Sequence, residues 1–189
     1  MPEPSRLPER GEGHGLLLRR WTVQDAEILA DALEPSLGHL RPWLIWTAEE
    51  PLALAQRRER IAAWEQSWRE GGDVLMGAFL DGQVIGAGGL HRRIGPAGLE
   101  IGYWVRAGFL RRGLATRIAS VLTTLGLSVP GITHVEIHHD RANVASAGVP
   151  PKVGYTLVAE EADEPQTPSE EGVEWRWRME GAAWAARNS

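Results

Sequence analysis

Polar side chains that can exchange protons gather in the C-terminal half of the chain. His138, His139 and Asp140 are consecutive, and Asn143 and Ser146 follow soon after. A His-His-Asp run suggests a metal site, but neighbouring residues of a strand point to opposite faces, so both imidazoles cannot easily ligate one ion. Ser146 lacks the Gly-x-Ser-x-Gly turn of a hydrolase nucleophile. These residues therefore favour acid–base chemistry without a metal.

A second chemical signal lies in the middle of the chain, where a predicted strand leads through a short loop into a helix that starts at Gly113. The free backbone N–H groups of a helix start carry partial positive charge and can hold a pyrophosphate without a lysine. Gly113 allows close approach of the backbone, and Ala115 keeps the next contact small. Arg111 and Arg112 add positive charge at the mouth. The segment therefore predicts a phosphate-binding loop.

The elements that position these groups have a mixed order. Strands are predicted over residues 15–20, 74–80, 84–90, 99–105, 134–139, 155–159 and 173–179, and helices over 22–33, 36–41, 51–70, 113–127 and 143–149. Asp81-Gly82 is a strong two-residue hairpin signal. The order predicts a mixed α/β fold of the α+β kind, with antiparallel hairpins and one parallel crossover between the fourth and fifth strands. It does not show the regular alternation of a doubly wound dinucleotide fold.

The sequence predicts one domain preceded by an N-terminal arm. Residues 1–13 are rich in Pro, Glu, Arg and Gly and are predicted to be a flexible N-terminal arm, and residues 14–189 are predicted to form a single domain. The acidic stretch 160–172 contains two prolines and reads as an exposed connection between strands.

Composition excludes several classes of protein. Among 189 residues there is no cysteine, which excludes disulfides, thiolate zinc sites and a cysteine nucleophile. The net charge of −5 disfavours a nucleic-acid partner and is compatible with a cationic amine substrate. With no apolar run long enough to span a membrane and no signal-peptide core, the expected location is the cytoplasm. The nine tryptophans are expected to pack in the core or to form an aromatic wall beside an acceptor site.

Several segments together resemble the RimJ/RimL-like branch of the GNAT superfamily of N-acetyltransferases. Gly113 and Ala115 match the end of its acetyl-CoA signature, Gln/Arg-x-x-Gly-x-Gly/Ala, whereas Leu110 departs from its first position. The other matching segments are Leu99–Val105, His39–Trp46, Asn143–Ser146 and Lys152–Tyr155. The resemblance covers about residues 15–180, and it implies a central, mostly antiparallel sheet whose fourth and fifth strands splay apart.

The resemblance also implies how acetyl-CoA would bind. The pantetheine arm is expected along the fourth strand, where the backbone of Val105 is the matching contact. The residues expected to hold the pyrophosphate are Arg111, Arg112, Gly113, Leu114, Ala115 and Thr116. Asn143 matches a position that helps to hold the cofactor. Lys152 either reaches the phosphates or is a solvated cation at a helix end.

The chemistry implied by the resemblance is direct transfer of the acetyl group to an amine that has lost a proton. His138 is the first candidate for the base, Glu100 the second and Glu136 the third, and a water chain is a further alternative. Many family members use a tyrosine as proton donor where this chain has Pro150, so Ser146 is the candidate donor here. The pair Pro150-Pro151 is expected to prevent an ordinary helix at that point.

The acceptor expected from the resemblance is a primary amine, with a protein N-terminus, as on ribosomal proteins, as the first candidate. A small-molecule amine, such as an antibiotic or a polyamine, is the second. A CoA-binding regulatory module without catalysis is the third, because Leu110 and Pro150 both depart from the family pattern. Homodimers are common in this branch and are compatible with the sequence.

Overall fold

The computed structural model describes residues 6–188 and contains an eight-stranded sheet with helices on both faces. The strands are β1 Arg10–Gly13, β2 Leu16–Arg20, β3 Val74–Leu80, β4 Gln83–His91, β5 Gly98–Val105, β6 His134–Asp140, β7 Thr156–Ala162 and β8 Val173–Glu180. The helices are α1 Ala26–Leu33, α2 Leu37–Leu40, α3 Leu54–Arg69, α4 Leu114–Leu127, α5 Val144–Ala147, α6 Pro150–Val153 and α7 Gly181–Arg187. Single turns of 3₁₀ helix lie at Val23–Asp25, Glu34–Ser36, Ile45–Glu49 and Ala107–Phe109.

The strands lie in the order β1-β2-β3-β4-β5-β6-β8-β7. Every neighbouring pair is antiparallel except β5 and β6, which are parallel and are connected through α4. The predicted mixed, mostly antiparallel fold is therefore confirmed. The parallel pair lies in the middle of the sheet, where the crossover helix α4 packs back onto the strands that it connects.

The β5–β6 ladder is much shorter than its two strands. It pairs Gly98 with His134, Leu99 with Val135 and Glu100 with Glu136, and for the described residues it ends there. β5 continues to Val105 and β6 to Asp140, and residues of both strands beyond the ladder line a common cleft. This confirms the expected splaying of the fourth and fifth predicted strands.

Two apolar layers hold the helices against the sheet. On one face, Ile118 and Leu122 of α4 pack against strand residues that include Ile101 of β5. On the other face, Ile61 of α3 and the residues of α1 pack in a second cluster that contains Trp104 of β5. Because residues alternate along a strand, each position of β5 and β6 can be assigned to the α4 face or to the α1–α3 face.

The N-terminal segment differs from the expected flexible arm. Residues 10–13 form β1, which pairs antiparallel with β2, and Leu7 is buried in the core next to α4. The indole N–H of Trp68 donates to the carbonyl of Leu7 at 2.8 Å. The composition does not predict this strand, because glycine is uncommon in strands. Position 11 requires glycine, since a side chain there would collide with Leu125 of α4. Residues 1–5 of the predicted arm lie outside the described residues.

Two further expectations are corrected by the structure. A helical turn, α6, starts at Pro150, so the proline pair does not prevent a helix there. Proline is tolerated in the first turn of a helix, because the backbone N–H that it lacks would have no acceptor within the helix there. The acidic connection is shorter than predicted, because β7 extends to Ala162 and leaves residues 163–172 as the loop.

Among residues 6–188, no helix is both long and apolar enough to cross a membrane.

Candidate active site

A cleft of about 1410 Å³ opens between β5 and β6 and extends across both faces of the sheet. One wall is formed by the tryptophan-rich segment after α2, which includes Trp43 and Trp46. The opposite wall includes residues of the 163–172 loop. Thr167 of that loop is buried and its hydroxyl donates to the carbonyl of Pro42 at 2.5 Å, so the two walls meet above the gap.

The start of α4 forms an open cradle at one end of the cleft. Gly113 precedes the helix with φ of 71°, and no side chain caps the first turn. The first helical bond comes from the N–H of Arg117 to the carbonyl of Gly113 at 3.2 Å, so the N–H groups of residues 114–116 precede the intrahelical ladder. A methyl group at Gly113 would meet no atom within 4 Å. The residues present therefore fit an anionic group such as a pyrophosphate.

The basic residues near this cradle do not all face it. Arg111, which has φ of 60°, and Lys152 both line the cleft. The guanidinium of Arg112 instead stacks over the Phe109 ring at 5.2 Å, and Arg112 is not among the described residues that line the cleft. Leu110, which departs from the family signature, is exposed at the cleft.

The end of β5 is fixed by the segment before the tryptophans. The carbonyl of Val105 accepts a hydrogen bond from Nε2 of His39 at 3.0 Å, and the N–H of Ala107 donates to the buried hydroxyl of Ser36 at 3.0 Å. The N–H of Arg106 donates to the carbonyl of Ile85 on β4, so the backbone groups of Val105 point to the opposite side, towards the gap.

Ser146 lies on α5 on the α4 side of the gap. The side chain of Asn143 caps this helix by accepting the N–H of Ser146 at 3.1 Å. The hydroxyl oxygen of Ser146 lies 3.4 Å from that of Tyr103 on β5. Burial raises the pKa of Tyr103 to about 12, so the phenol keeps its proton at neutral pH.

His138 lies on the α1–α3 side of the gap among carboxylates. Its Nε2 lies 2.6 Å from Glu136, whose other oxygen accepts from Nε of Arg178 at 2.7 Å. Its Nδ1 lies 3.6 Å from Glu174 and 3.8 Å from Glu100. His138, Glu174 and Glu100 all line the cleft. The imidazole is therefore oriented by Glu136 and presents its other nitrogen to the cleft.

The two carboxylates that were considered as bases have partners of their own. Burial opposes ionisation of Glu136, but the hydrogen bonds from His138 and Arg178 outweigh it and hold its pKa below the usual value. Both oxygens of Glu100 are bound by the guanidinium of Arg93, with Nε at 2.6 Å. His138 differs from both carboxylates, because its Nδ1 approaches Glu174 and Glu100 only to 3.6 and 3.8 Å, beyond the range of a hydrogen bond.

His139 points to the opposite face from His138, as the strand alternation predicts. Trp177 donates from its indole N–H to Nε2 of His139 at 3.0 Å, and Nδ1 lies 2.8 Å from the carbonyl of Asp140. Burial lowers the pKa of His139, which favours the neutral tautomer that fits these two bonds. The part of the chain from residue 6 to 188 contains no group of three or more potential ligands that could hold a metal ion.

Sequence reasoning missed two residues of the site. Tyr103 shares the α4 face of β5 with Val105, and this alternation could have identified it. Glu174 pairs with Asp140 across β6 and β8, and no signal for this existed before the register of β8 was known. The structure brings together the remaining predicted site residues, except that Arg112 points away from the cleft.

Comparison with known proteins agrees with this geometry. The acetyltransferase (GNAT) domain family matches residues 15–156. The chain is 27% identical over 143 residues to "Putative ribosomal N-acetyltransferase YdaF" of Bacillus subtilis, covering 74% of this chain and 77% of that protein.

Solved structures share the fold at lower sequence identity. The ribosomal L7/L12 alpha-N-protein acetyltransferase RimL in complex with coenzyme A superposes with a TM-score of 0.81 at 17% identity, over 95% of this chain and 99% of that one. The microcin C7 self-immunity acetyltransferase MccE in complex with acetyl-CoA and AMP gives 0.79 at 14% identity, over 95% and 97%. The family match covers most of the chain, and the motif resemblance is confirmed. The chain belongs to the GNAT acetyltransferase family and is an acyltransferase of that family.

Proposed function

We propose that this enzyme transfers the acetyl group of acetyl-CoA directly to a primary amine, and that the amine is the N-terminus of a protein. The observation that supports this most strongly is the gap between β5 and β6. It joins an uncapped helix start on one face of the sheet to a histidine oriented by a carboxylate on the other. A closed sheet would keep these two groups apart.

In this proposal the α4 face holds the donor. The backbone N–H groups from Gly113 to Thr116 bind the pyrophosphate with help from Arg111, and the backbone of Val105 faces the pantetheine arm. Asn143 and Lys152 line the same end of the cleft. Bound acetyl-CoA supplies an activated acyl group on a thiol leaving group.

The α1–α3 face receives the amine. An ammonium ion has no lone pair, so the acceptor must lose a proton before attack. In this proposal His138 accepts it, and its Nδ1 lies 3.6 Å from Glu174 and 3.8 Å from Glu100. Ser146 lies on the donor face, where its hydroxyl can donate to the leaving sulfur. Glu100 is the alternative base and lies on the same face as His138.

The choice of a protein acceptor is supported by the relatives, since YdaF and RimL are both named for ribosomal protein acetylation. The size and openness of the cleft are compatible with an extended peptide. A small-molecule amine is the second candidate, because MccE, which is named for antibiotic self-immunity, shares the fold.

The proposal is tested by thiol release from acetyl-CoA with three acceptor classes: peptides with free N-termini, polyamines and aminoglycosides. We expect turnover with peptides, and mass spectrometry should place the acetyl group on the N-terminal nitrogen. The same peptides with a blocked N-terminus are the matched control and should be inert.

Turnover confined to one of the small amines would replace the peptide proposal with the second candidate. Tight binding of acetyl-CoA by calorimetry, with no turnover on any acceptor, would indicate a regulatory module. Absence of acetyl-CoA binding would contradict the assignment of the α4 cradle.

A further inference from the structure

The proton donor proposed above, Ser146, is not alone on its side of the cleft. The chain has only two tyrosines, and the hydroxyl of one, Tyr103, lies 3.4 Å from Ser146 Oγ. Both residues line the cleft at the α4 face of the gap. Tyr103 stands on a rigid central strand, whereas Ser146 stands on the single turn α5.

The capacities of the two hydroxyls allow either one to donate in their hydrogen bond. A serine hydroxyl has one proton and two acceptor sites, so it can accept from one partner while it donates to another. Among residues 6–188, Ser146 is the hydrogen-bond partner of the Tyr103 hydroxyl. If Tyr103 donates, the proton of Ser146 remains available for a third atom in the cleft.

We propose that Tyr103 is a positioning residue for the acyl transfer: it donates a hydrogen bond to Ser146 Oγ and thereby directs the Ser146 proton towards the leaving sulfur. This rests on the proposed function, in which Ser146 is the proton donor.

The proton balance of the step is complete without any further reactant. The amine nitrogen bonds to the acetyl carbon, the carbon–sulfur bond breaks, and its electron pair remains on sulfur. The ammonium ion loses one proton before attack, and the nitrogen loses a second as the amide forms; His138 passes each in turn to solvent. The sulfur receives the Ser146 proton, which solvent replaces. Tyr103 retains its own proton throughout, consistent with a pKa raised to about 12 by burial.

The 3.4 Å separation is longer than an ideal bond between hydroxyls, which is about 2.7–2.8 Å. Such bonds at active sites are often long in the free enzyme and tighten in the complex with substrate. The contact is therefore expected to matter most when the sulfur is present, and the test measures it there.

The chain offers a matched control in its other tyrosine. Tyr155 is buried beneath α4, and its hydroxyl lies 2.6 Å from Oγ1 of Thr123. The substitutions Tyr103→Phe and Tyr155→Phe each remove one phenol oxygen, but only the first removes it from the cleft. A purely structural role for Tyr103 would make the two variants behave alike.

The kinetic test compares Tyr103→Phe in three backgrounds: wild type, Ser146→Thr and Ser146→Ala. We expect Tyr103→Phe to lower kcat about tenfold in the first two, with the KM for acetyl-CoA changed by less than about twofold. In the Ser146→Ala background it should have no further effect, because the bond is already absent. Tyr155→Phe should lower the melting temperature and leave kcat unchanged.

A binding measurement tests the same bond without turnover. At a pH above the pKa of the CoA thiol, the wild-type enzyme should bind CoA about tenfold more tightly than desulfo-CoA, because the thiolate accepts from Ser146. Tyr103→Phe should reduce this preference, whereas Tyr155→Phe should not.

The outcomes separate this inference from the proposed function. Two results would overturn the role of Tyr103 and leave that of Ser146 intact. One is a further loss of kcat when Tyr103→Phe is added to Ser146→Ala. The other is an unchanged preference of Tyr103→Phe for CoA over desulfo-CoA. Full activity of Ser146→Ala would refute the proposed donor and the inference with it. An unchanged kcat in Tyr103→Phe alone would refute only the inference.

Discussion

His138 and His139 are neighbours in sequence, yet the sheet gives them opposite surroundings. His138 lies between Glu136 and the cleft, whereas His139 bonds to Trp177 and to the carbonyl of Asp140. The alternation of the strand alone produces this difference. One imidazole is the proposed base, and the other is held by hydrogen bonds to the indole of Trp177 on β8 and to the backbone of β6.

The substitution His138→Gln should lower kcat by roughly 100-fold, because it removes the proposed base while keeping a polar side chain of similar reach. The acetyl-CoA affinity should change little, since the cradle at Gly113 lies on the other face. His139→Gln is the matched control and should keep a kcat close to that of the wild type. Equal losses of kcat in the two variants would show that the assignment of His138 is wrong.

Asp140 ties the end of β6 to the loop before β8. Its carboxylate accepts backbone N–H groups from Ala142, Glu171, Gly172 and Val173, at distances from 2.8 to 3.2 Å. Burial opposes ionisation, but these bonds outweigh it and hold the pKa of Asp140 below its usual value. A depressed pKa means that the stabilisation is present above the unfolded-state pKa of about 3.9 and is lost as the pH falls through the folded-state pKa.

The substitution Asp140→Asn should therefore destabilise the protein by about 1 kcal/mol at pH 7, a modest value because the carboxylate is partly solvated. In urea unfolding, the difference from wild type should shrink as the pH falls below about 4. Asp163→Asn in the same loop should change the free energy of unfolding by less than about 0.5 kcal/mol. A difference between wild type and Asp140→Asn that is independent of pH would contradict the role of the charge.

At the scale of elements, the loop between β5 and α4 contains the glycine at the start of the proposed cradle. Gly113 adopts a left-handed conformation in front of an uncapped helix. Gly82 has a similar φ of 79° in the β3–β4 hairpin, and a methyl group at either position would meet no atom within 4 Å. The two glycines therefore share a backbone conformation that other residues rarely adopt, and they differ in what lies beside them.

The pair Gly113→Ala and Gly82→Ala separates these effects. Each substitution should cost about 1 kcal/mol of folding free energy, because alanine is disfavoured at positive φ. Gly113→Ala alone should weaken acetyl-CoA binding, by about tenfold in calorimetry, since its methyl group projects into the cradle. Equal affinities in the two variants would show that the cradle does not hold the donor.

Elements determined by local sequence could be predicted, and those that depend on distant pairing could not. The spacing of Ile118 and Leu122 predicted α4, and Asp81-Gly82 predicted the hairpin, because their signals lie within one turn or one loop. β1 was missed because its sequence, Arg-Gly-Glu-Gly, has little strand preference and is held by pairing with β2.

The candidate site shows the same division. Gly113 was found from its own segment, because a helix start is a local feature, whereas Ser146 was found from the family resemblance of its segment. Glu174 could not be placed beside His138, since that requires the pairing of β8 with β6. Arg112 was assigned to the mouth from its charge, but its stacking on Phe109 depends on the course of the loop.

At the scale of the whole molecule, the N-terminal segment completes the core. Leu7 is 1% exposed and joins the apolar cluster around α4. The substitution Leu7→Ala should therefore cost about 2–5 kcal/mol in urea unfolding. Leu157→Ala, at a position that is 38% exposed, should cost less than about 1 kcal/mol. Similar small effects of both substitutions would restore the description of this segment as a flexible arm.

The gap between β5 and β6 has a consequence for the energetics of the fold. Beyond Glu100 and Glu136, the described backbones leave ladder positions in the middle of the sheet without a strand partner. An outer edge with such groups invites aggregation, but this edge is enclosed by the molecule itself. On the function proposed, the pantetheine arm takes the place of a missing strand, so that binding the donor is also the last step of assembling the sheet. Acetyl-CoA at a concentration 100 times its Kd should then raise the free energy of unfolding by about 2.7 kcal/mol.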